Sequence, residues 1–240
     1  MTSQSIPVVR DALEGYSRLE KTPIEVVVFD FDGTIADTLD AIVGIVNELA
    51  QTFGYPVASP EELETYKNLS SRQILRRSGI SLFQLPFVIL KAQRALSAQI
   101  DRLQPFVEIE ASLRALKGSG YKLGILTSNS QKNVEAFLQA NQLDRHFDFI
   151  YSGLTVFGKE RLFRKMLRRE NLDRERIVYI GDETRDIESA RNVQIKSIAV
   201  SWGFNSRQAL LKFGPDRAID SPRELLSAVR SLSTTNVIRL

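Results

Sequence analysis

The sequence predicts an α/β fold: a doubly wound, parallel sheet with helices on both faces and a helical domain inserted after its first strand. Three observations carry that prediction. Five apolar runs of strand length recur along the chain, "IEVVVFDF" from Ile24, "YKLGILTSN" from Tyr121, "FDFIYSG" from Phe147, "RIVYIGD" from Arg176 and "IKSIAVSW" from Ile195. Continuous apolar runs suit strands covered on both faces, as in a parallel sheet. Helical patterns separate most of these runs, which is the alternation that right-handed βαβ units require. From about Leu39 to Leu103 that alternation stops and helical patterns alone remain.

Taken in order, the first strand runs from Ile24 into Asp30 and Asp32. The inserted block then reads as "DAIVGIVNELAQTFG", "SPEELETYKN", "SRQILRRSG" and "LPFVILKAQRALSAQIDRL". "SPEE" is a helix start, with Ser59 as N-cap, Pro60 at the first helical position and acids in the first turn. After it, "EIEASLRALKGSG" ends in glycine, and "NSQKNVEAFLQANQ", "KERLFRKMLRREN" and "ETRDIESARN" follow between strands. The expected organisation is an N-terminal extension over 1–23, an α/β core over 24–38 and 104–240, and a helical insert over 39–103. In such sheets ligands gather beyond the carboxyl ends of the strands, and the insert sits where it could cover that edge.

Composition narrows the chemistry. The 240 residues, 43% hydrophobic and 25% charged, are enough for a substantial core and ordinary for a globular chain. The absence of cysteine removes disulfides, thiolate zinc sites and cysteine nucleophiles together. His146 is the sole histidine and reads as structural, which leaves histidine-based acid/base chemistry without a partner. The formal charge of +3 is mild, and the nearest basic cluster, "RKMLRRE" from Arg164, lies on a helical pattern as a solvated face. Nucleic acid and membrane are therefore not expected partners, and no signal-peptide pattern opens the chain, so a cytoplasmic location is expected.

The chemistry-bearing residues stand at strand ends. The first strand ends in Asp30-Phe31-Asp32-Gly33-Thr34, the second in Thr127-Ser128-Asn129, and Phe157-Gly158-Lys159 precedes a later helix. Another strand ends in Gly181-Asp182, with Asp186 four residues on. In a parallel sheet these ends share one edge. Carboxylates converging there raise one another's pKa unless a cation is present. Carboxylate and carbonyl oxygens are hard ligands suited to Mg²⁺, while a lysine, hydroxyls and helix-start amides suit a phosphate. The inventory fits phosphoryl transfer, and no Walker-type "GxxxxGK[ST]" is present.

This ordered set resembles the haloacid dehalogenase-like hydrolase superfamily across nearly the whole chain from about residue 24. "DFDGTIADT", "ILTSN", Lys159 and "GDETRD" match its four motifs in order, and the helical insert resembles its C1 cap on a Rossmann-like core. The resemblance implies Asp30 as the nucleophile and Asp32 as general acid and then base. It implies Asp30, the backbone carbonyl of Asp32, and Asp182 as Mg²⁺ ligands, with Asp186 orienting Lys159 or a metal-bound water. Thr127 would bind the phosphoryl oxygens with help from Ser128 and Asn129, and Lys159 would neutralise their charge.

The second aspartate separates phosphatases and phosphomutases from dehalogenases within the family. "DFDGTIADT" with a C1-sized insert is most similar to phosphoglycolate phosphatase and its relatives, and "SWGFNS" and "PDRAIDSPREL" resemble that subgroup's last strands and closing helix. Two departures stand out: Lys159-Glu160 where Lys-Pro is common, and "LQPFVEI" over 103–109 in place of a proline-glycine turn. Lys67, Asn68, Ser71 and Arg72 sit where the family keeps a specificity loop, so Lys67 and Arg72 are candidate substrate contacts. Asp37 or Thr38 is expected to cap the first insert helix, and Trp202 and Phe204 to pack in the core or approach the site. The expected function is a Mg²⁺-dependent phosphatase acting on a small phosphorylated metabolite, as a monomer or homodimer. The alternatives are a sugar phosphomutase of the same family and a non-catalytic phosphate- or protein-binding module.

Overall fold

The computed structural model describes residues 16–155 and 158–239. Six strands form one parallel sheet: β2 (Val26–Phe29), β3 (Lys122–Thr127), β4 (Phe149–Ser152), β5 (Ile177–Gly181), β6 (Lys196–Val200) and β7 (Arg217–Ile219), after an outlying β1 (Tyr16–Thr22). The spatial order is β4-β3-β2-β5-β6-β7. From β2 the chain first winds toward β3 and β4, then returns to build β5, β6 and β7 on the other side. The reversal lies between β2 and β5, the place where an open α/β sheet leaves a crevice.

Register follows from burial. Val26, Val27, Val28 and Phe29 are all buried, but they face alternately into two clusters. Val27 and Phe29 join Leu113 of α5 (Ile109–Gly118), Phe137 of α6 (Gln131–Ala140) and Val229 of α10 (Leu225–Ser231). Val26 and Val28 join Phe163 and Met166 of α7 (Glu160–Arg169) and Ala190 of α8 (Thr184–Asn192) on the opposite face. The period-two side-chain alternation of a strand thus feeds two helical layers at once. Phe29 pairs with Ile125 of β3 and Ile180 of β5, so Asp30 leaves the sheet level with Gly181.

The insert consists of α1 (Leu39–Phe53), α2 (Pro60–Tyr66), α3 (Ser71–Arg77) and α4 (Leu85–Ser97). Ser59 caps α2 reciprocally with Glu62, as "SPEE" predicts, and Ser70 caps α3 with Gln73 in the same way. A small apolar cluster of Ala50, Tyr55 and Val88 joins α1 to α4, while Ile45 and Leu96 reach into the main core. Among the described residues no helix is long and apolar enough to cross a membrane.

Two features differ from expectation. β1, inside what reads in sequence as an extension, pairs antiparallel with β8 (Thr234–Arg239) at the far end of what reads as the core. "YSRLEKT" has no apolar run to announce a strand, and the rest of the extension, residues 1–15, lies outside the described residues. The turn before α5 keeps a left-handed residue, with Glu108 at φ 72° where a glycine would sit without strain.

Candidate active site

The end of β2 turns sharply, with the amides of Thr34, Ile35 and Ala36 all donating to the carbonyl of Phe31. Gly33 takes φ 72° in this turn, and a Cβ there would collide with the carboxylate of Asp182. Gly203, arriving from the β6 side, would collide with the same carboxylate if it carried a Cβ. The two glycines therefore allow backbone to close around Asp182. Its Oδ1 accepts from Thr34 Oγ1 at 2.8 Å and its Oδ2 from the amide of Phe204 at 2.8 Å.

Lys159 is fully buried at the N-cap position of α7. Its Nζ lies 2.5 Å from Asp30 Oδ2 and 2.9 Å from Asp186 Oδ1, and donates to Tyr179 Oη at 2.8 Å. The Tyr179 hydroxyl in turn donates to the carbonyl of Leu126 at 2.9 Å. The amide of Lys159 donates to Ser189 Oγ, which fixes the root of the side chain as well as its tip. Asp186 is held by the amide of Glu183, whose position it caps at the start of α8.

Asp32 sits apart from this cluster. Its carboxylate accepts from Thr38 Oγ1 at 2.9 Å and from Asn129 Nδ2 at 3.1 and 3.0 Å. Thr38 occupies the N-cap position of α1 without making a side-chain cap bond, because its hydroxyl is turned to Asp32 instead. Thr127 is buried, with Oγ1 accepting from the amide of Asn129, and the Ser128 carbonyl accepts from Gln93 of α4.

The electrostatics follow from burial. Desolvation pushes the Asp30 carboxyl up to about 7, against the pull of Lys159 and with the help of nearby Asp186. Burial and the neighbouring carboxylates push Asp182 well above the ordinary range, and burial raises Asp32. Burial opposes the charge on Lys159, but Asp186 and Asp30 outweigh it and hold the ammonium above its usual value. Oxygens of Asp30, Asp182 and Asp186 lie within 4.8 Å of one another. This all-oxygen, over-acidic donor set fits a hard divalent cation, which would offset the burial and the carboxylate repulsion that raise Asp30 and Asp182.

Of the residues singled out in the sequence, the structure gathers Asp30, Lys159, Asp182 and Asp186 into one cluster. Asp32, Asn129 and Thr127 make an adjoining hydrogen-bonded group, in which the Asp32 side chain stands outside the acidic trio. Lys67 is half-buried and its Nζ holds Glu64 at 2.6 Å, while its carbonyl accepts from Asn205 and from the amide of Ser206. Arg72 lines a cleft of about 520 Å³ that runs from Asp32 and Asp182 to the insert helices. Trp202 does both things expected of it, packing on the core and donating to the Thr34 carbonyl, and Phe204 lines the cleft. Phe157 lies outside the described residues. Sequence reading missed Tyr179, which looks like one more apolar strand residue, along with Asn205 and the pair Glu183–Arg185; Thr34, placed at the strand end by the sequence, holds Asp182.

A family model described as haloacid dehalogenase-like hydrolase matches residues 27–200. The chain belongs to that family. It is 38% identical over 209 residues to a phosphoglycolate phosphatase from Synechococcus elongatus, covering 87% of this chain and 99% of that one. A pyrophosphatase, PpaX, from Bacillus cereus is 26% identical and covers 88% of this chain and 98% of its own. Among solved structures, a haloacid dehalogenase-like family hydrolase from Streptococcus pneumoniae superposes with a TM-score of 0.70 at 24% identity, covering 85% of this chain and 97% of that one. CbbY from Rhodobacter sphaeroides, solved in complex with phosphate, superposes with a TM-score of 0.66 at 25% identity over 86% of this chain and 99% of that one. Within the family the chain falls with the phosphoglycolate phosphatase-like subgroup and is a phosphoric monoester hydrolase.

Proposed function

We propose that the enzyme is a Mg²⁺-dependent phosphatase that hydrolyses a small phosphomonoester through an aspartyl-phosphate on Asp30, with phosphoglycolate as the favoured substrate. The observation that carries this reading is the separation of two aspartates only two residues apart: Asp30 sits on Lys159, while Asp32 is held by Thr38 and Asn129. In the first half-reaction an Asp30 carboxylate oxygen bonds to phosphorus as the ester oxygen leaves, and Asp32 gives that oxygen its proton. In the second, Asp32 takes a proton from water as the water oxygen displaces Asp30 from phosphorus. Burial raises the Asp32 carboxyl, which favours the protonated form the first step needs. Lys159 neutralises charge on Asp30 and on the phosphoryl oxygens, and Thr127 with Ser128 and Asn129 receives those oxygens.

Asp30, the Asp32 carbonyl and Asp182 would hold Mg²⁺, with Asp186 supporting from behind; when bound, the ion neutralises phosphoryl charge and orients the ester. Residues 39–103 act as a cap that excludes water during transfer and opens for product release. The Synechococcus elongatus relative, alike over almost its full length, supports phosphoglycolate as the substrate. Asp30→Asn is expected to lose activity on p-nitrophenyl phosphate by about 10³-fold or more with the fold intact. Substantial turnover surviving in that variant would sink the nucleophile assignment.

A further inference from the structure

The walls of the cleft are mostly apolar side chains of α1–α4, such as Val46, Ile74 and Ile89, with Tyr55 from the turn after α1. Among the described residues lining it, the cations are Arg72 and Arg185. Arg185 belongs to the first turn of α8, between Thr184 and Asp186. Its guanidinium donates from NH2 to Glu183 Oε1 at 2.6 Å, and its side chain keeps 21% exposure toward the cleft. Its Nε is buried and has no hydrogen-bond partner. The second oxygen of Glu183, Oε2, accepts from Ser71 Oγ at 3.1 Å, next to Arg72 on the cap.

Lys159 already serves the reacting group, with its Nζ on Asp30 and Asp186. Arg185 makes no such contact with Asp30, and its planar fork is only partly used. A buried guanidinium donor without a partner is costly, and a fork of this shape is best satisfied by a carboxylate bound through two parallel bonds. An apolar cleft with such a group at its floor is complementary to a short ester that carries its own anion. The geometry points to Arg185 as a specificity-determining residue that binds a carboxylate on the substrate's leaving group in exchange for Glu183, its carboxylate partner in the structure. The substrate class is then a short phosphorylated hydroxy acid. The exchange is one carboxylate for another, so a neutral ester gains nothing from it. The displaced Glu183 keeps its contact with Ser71, which ties acid recognition to the cap.

This inference rests on the phosphatase reading above, and the two separate in one experiment. With the full chain and Mg²⁺, kcat/KM is measured for phosphoglycolate and for ethyl phosphate, which lacks the carboxylate. Wild-type enzyme is expected to favour the acid. In Arg185→Met that preference should fall about 30-fold or more, whatever loss the two esters share, with part of it returned in Arg185→Lys. Glu183→Gln should move the preference the opposite way, because the competitor for the guanidinium is weakened. A preference unchanged within about threefold in Arg185→Met, or one that falls in Glu183→Gln, overturns the inference. Equal wild-type turnover of both esters overturns it while leaving the phosphatase reading intact, and turnover of neither overturns both. Should Arg185→Met fail to fold, the sign of the Glu183→Gln change decides.

Discussion

The strand edge and the cap are built on opposite principles. At the strand edge the ionisable groups are buried and multiply held: Lys159 has three partners for one ammonium, and Asp182 is gripped from Thr34 and Phe204. The cap presents large apolar side chains to solvent, with Phe83 at 89% exposure and Phe87 at 63%. It meets the core through apolar side chains such as Ile45 and Leu96 and through a set of polar ties. Gln93 donates to the Ser128 carbonyl, Ser97 bonds Asn133, Ser71 bonds Glu183, and Asn205 donates to the carbonyls of Lys67 and Leu69. Charge chemistry demands fixed geometry in low dielectric, and the outer face of the insert is under no such demand.

The sharpest way to break the contrast is Lys159→Met. Removing the ammonium leaves Asp30 and Asp186 buried without it, and a loss of about 3–5 kcal/mol is expected, together with activity. Added Mg²⁺ should return stability but not turnover; a melting series with and without the ion reads both. Next is Gly203→Ala, whose methyl meets Asp182 and the Gly33 carbonyl. It should cost about 1–3 kcal/mol and weaken Mg²⁺ binding, measured by titration calorimetry. At the cap rim, Asn205→Ala removes donors to two loop carbonyls and the acceptor for the Thr184 amide. A loss of about 1–3 kcal/mol is expected, with KM rising more than kcat falls.

A pH series separates the strand-edge acids from a carboxylate elsewhere on the core by sign. Asp30 is raised from 3.8 to about 7, so between those values the folded metal-free protein binds a proton that the unfolded chain has released. That group therefore favours the fold at low pH and loses stability as pH rises toward 7. Metal-free protein should show this contribution and Mg²⁺ should suppress it, as read by denaturant midpoints at several pH values. Asp148 runs the other way: burial opposes its charge, but hydrogen bonds from Lys117 and the Leu123 amide outweigh it and lower its pKa. Its contribution is present above the unfolded carboxyl value and is lost as pH falls through the lowered native one. Asp148→Asn should flatten the acid limb of the profile. The smallest effect is expected from Glu108→Gly, which relieves a left-handed residue at the cost of an exposed ion pair with Arg223. A gain of up to about 1 kcal/mol is expected, visible as a small rise in Tm.

The sequence by itself determined the alternating sheet and helix plan, the helical insert and the ordered set of Asp30, Asp32, Thr127, Lys159, Asp182 and Asp186. Apolar periodicity and strand-end acids are local signals, and local signals survive in one dimension. Tertiary structure decided the rest. Tyr179 reads as strand filler until β3 and α7 place a carbonyl and an ammonium at its hydroxyl. Thr38 reads as a helix cap until the turn after β2 brings Asp32 within reach of its hydroxyl. β1 carries no apolar run and finds its place by pairing with residues more than 200 positions away, Tyr16 with Arg239. Glu183 and Arg185 look like a solvated pair on a helix start, and only the folded chain shows them bonded to each other in the lining of the cleft. Contacts between distant segments depend on chain topology, and no local pattern of residue types encodes which groups that topology will bring together.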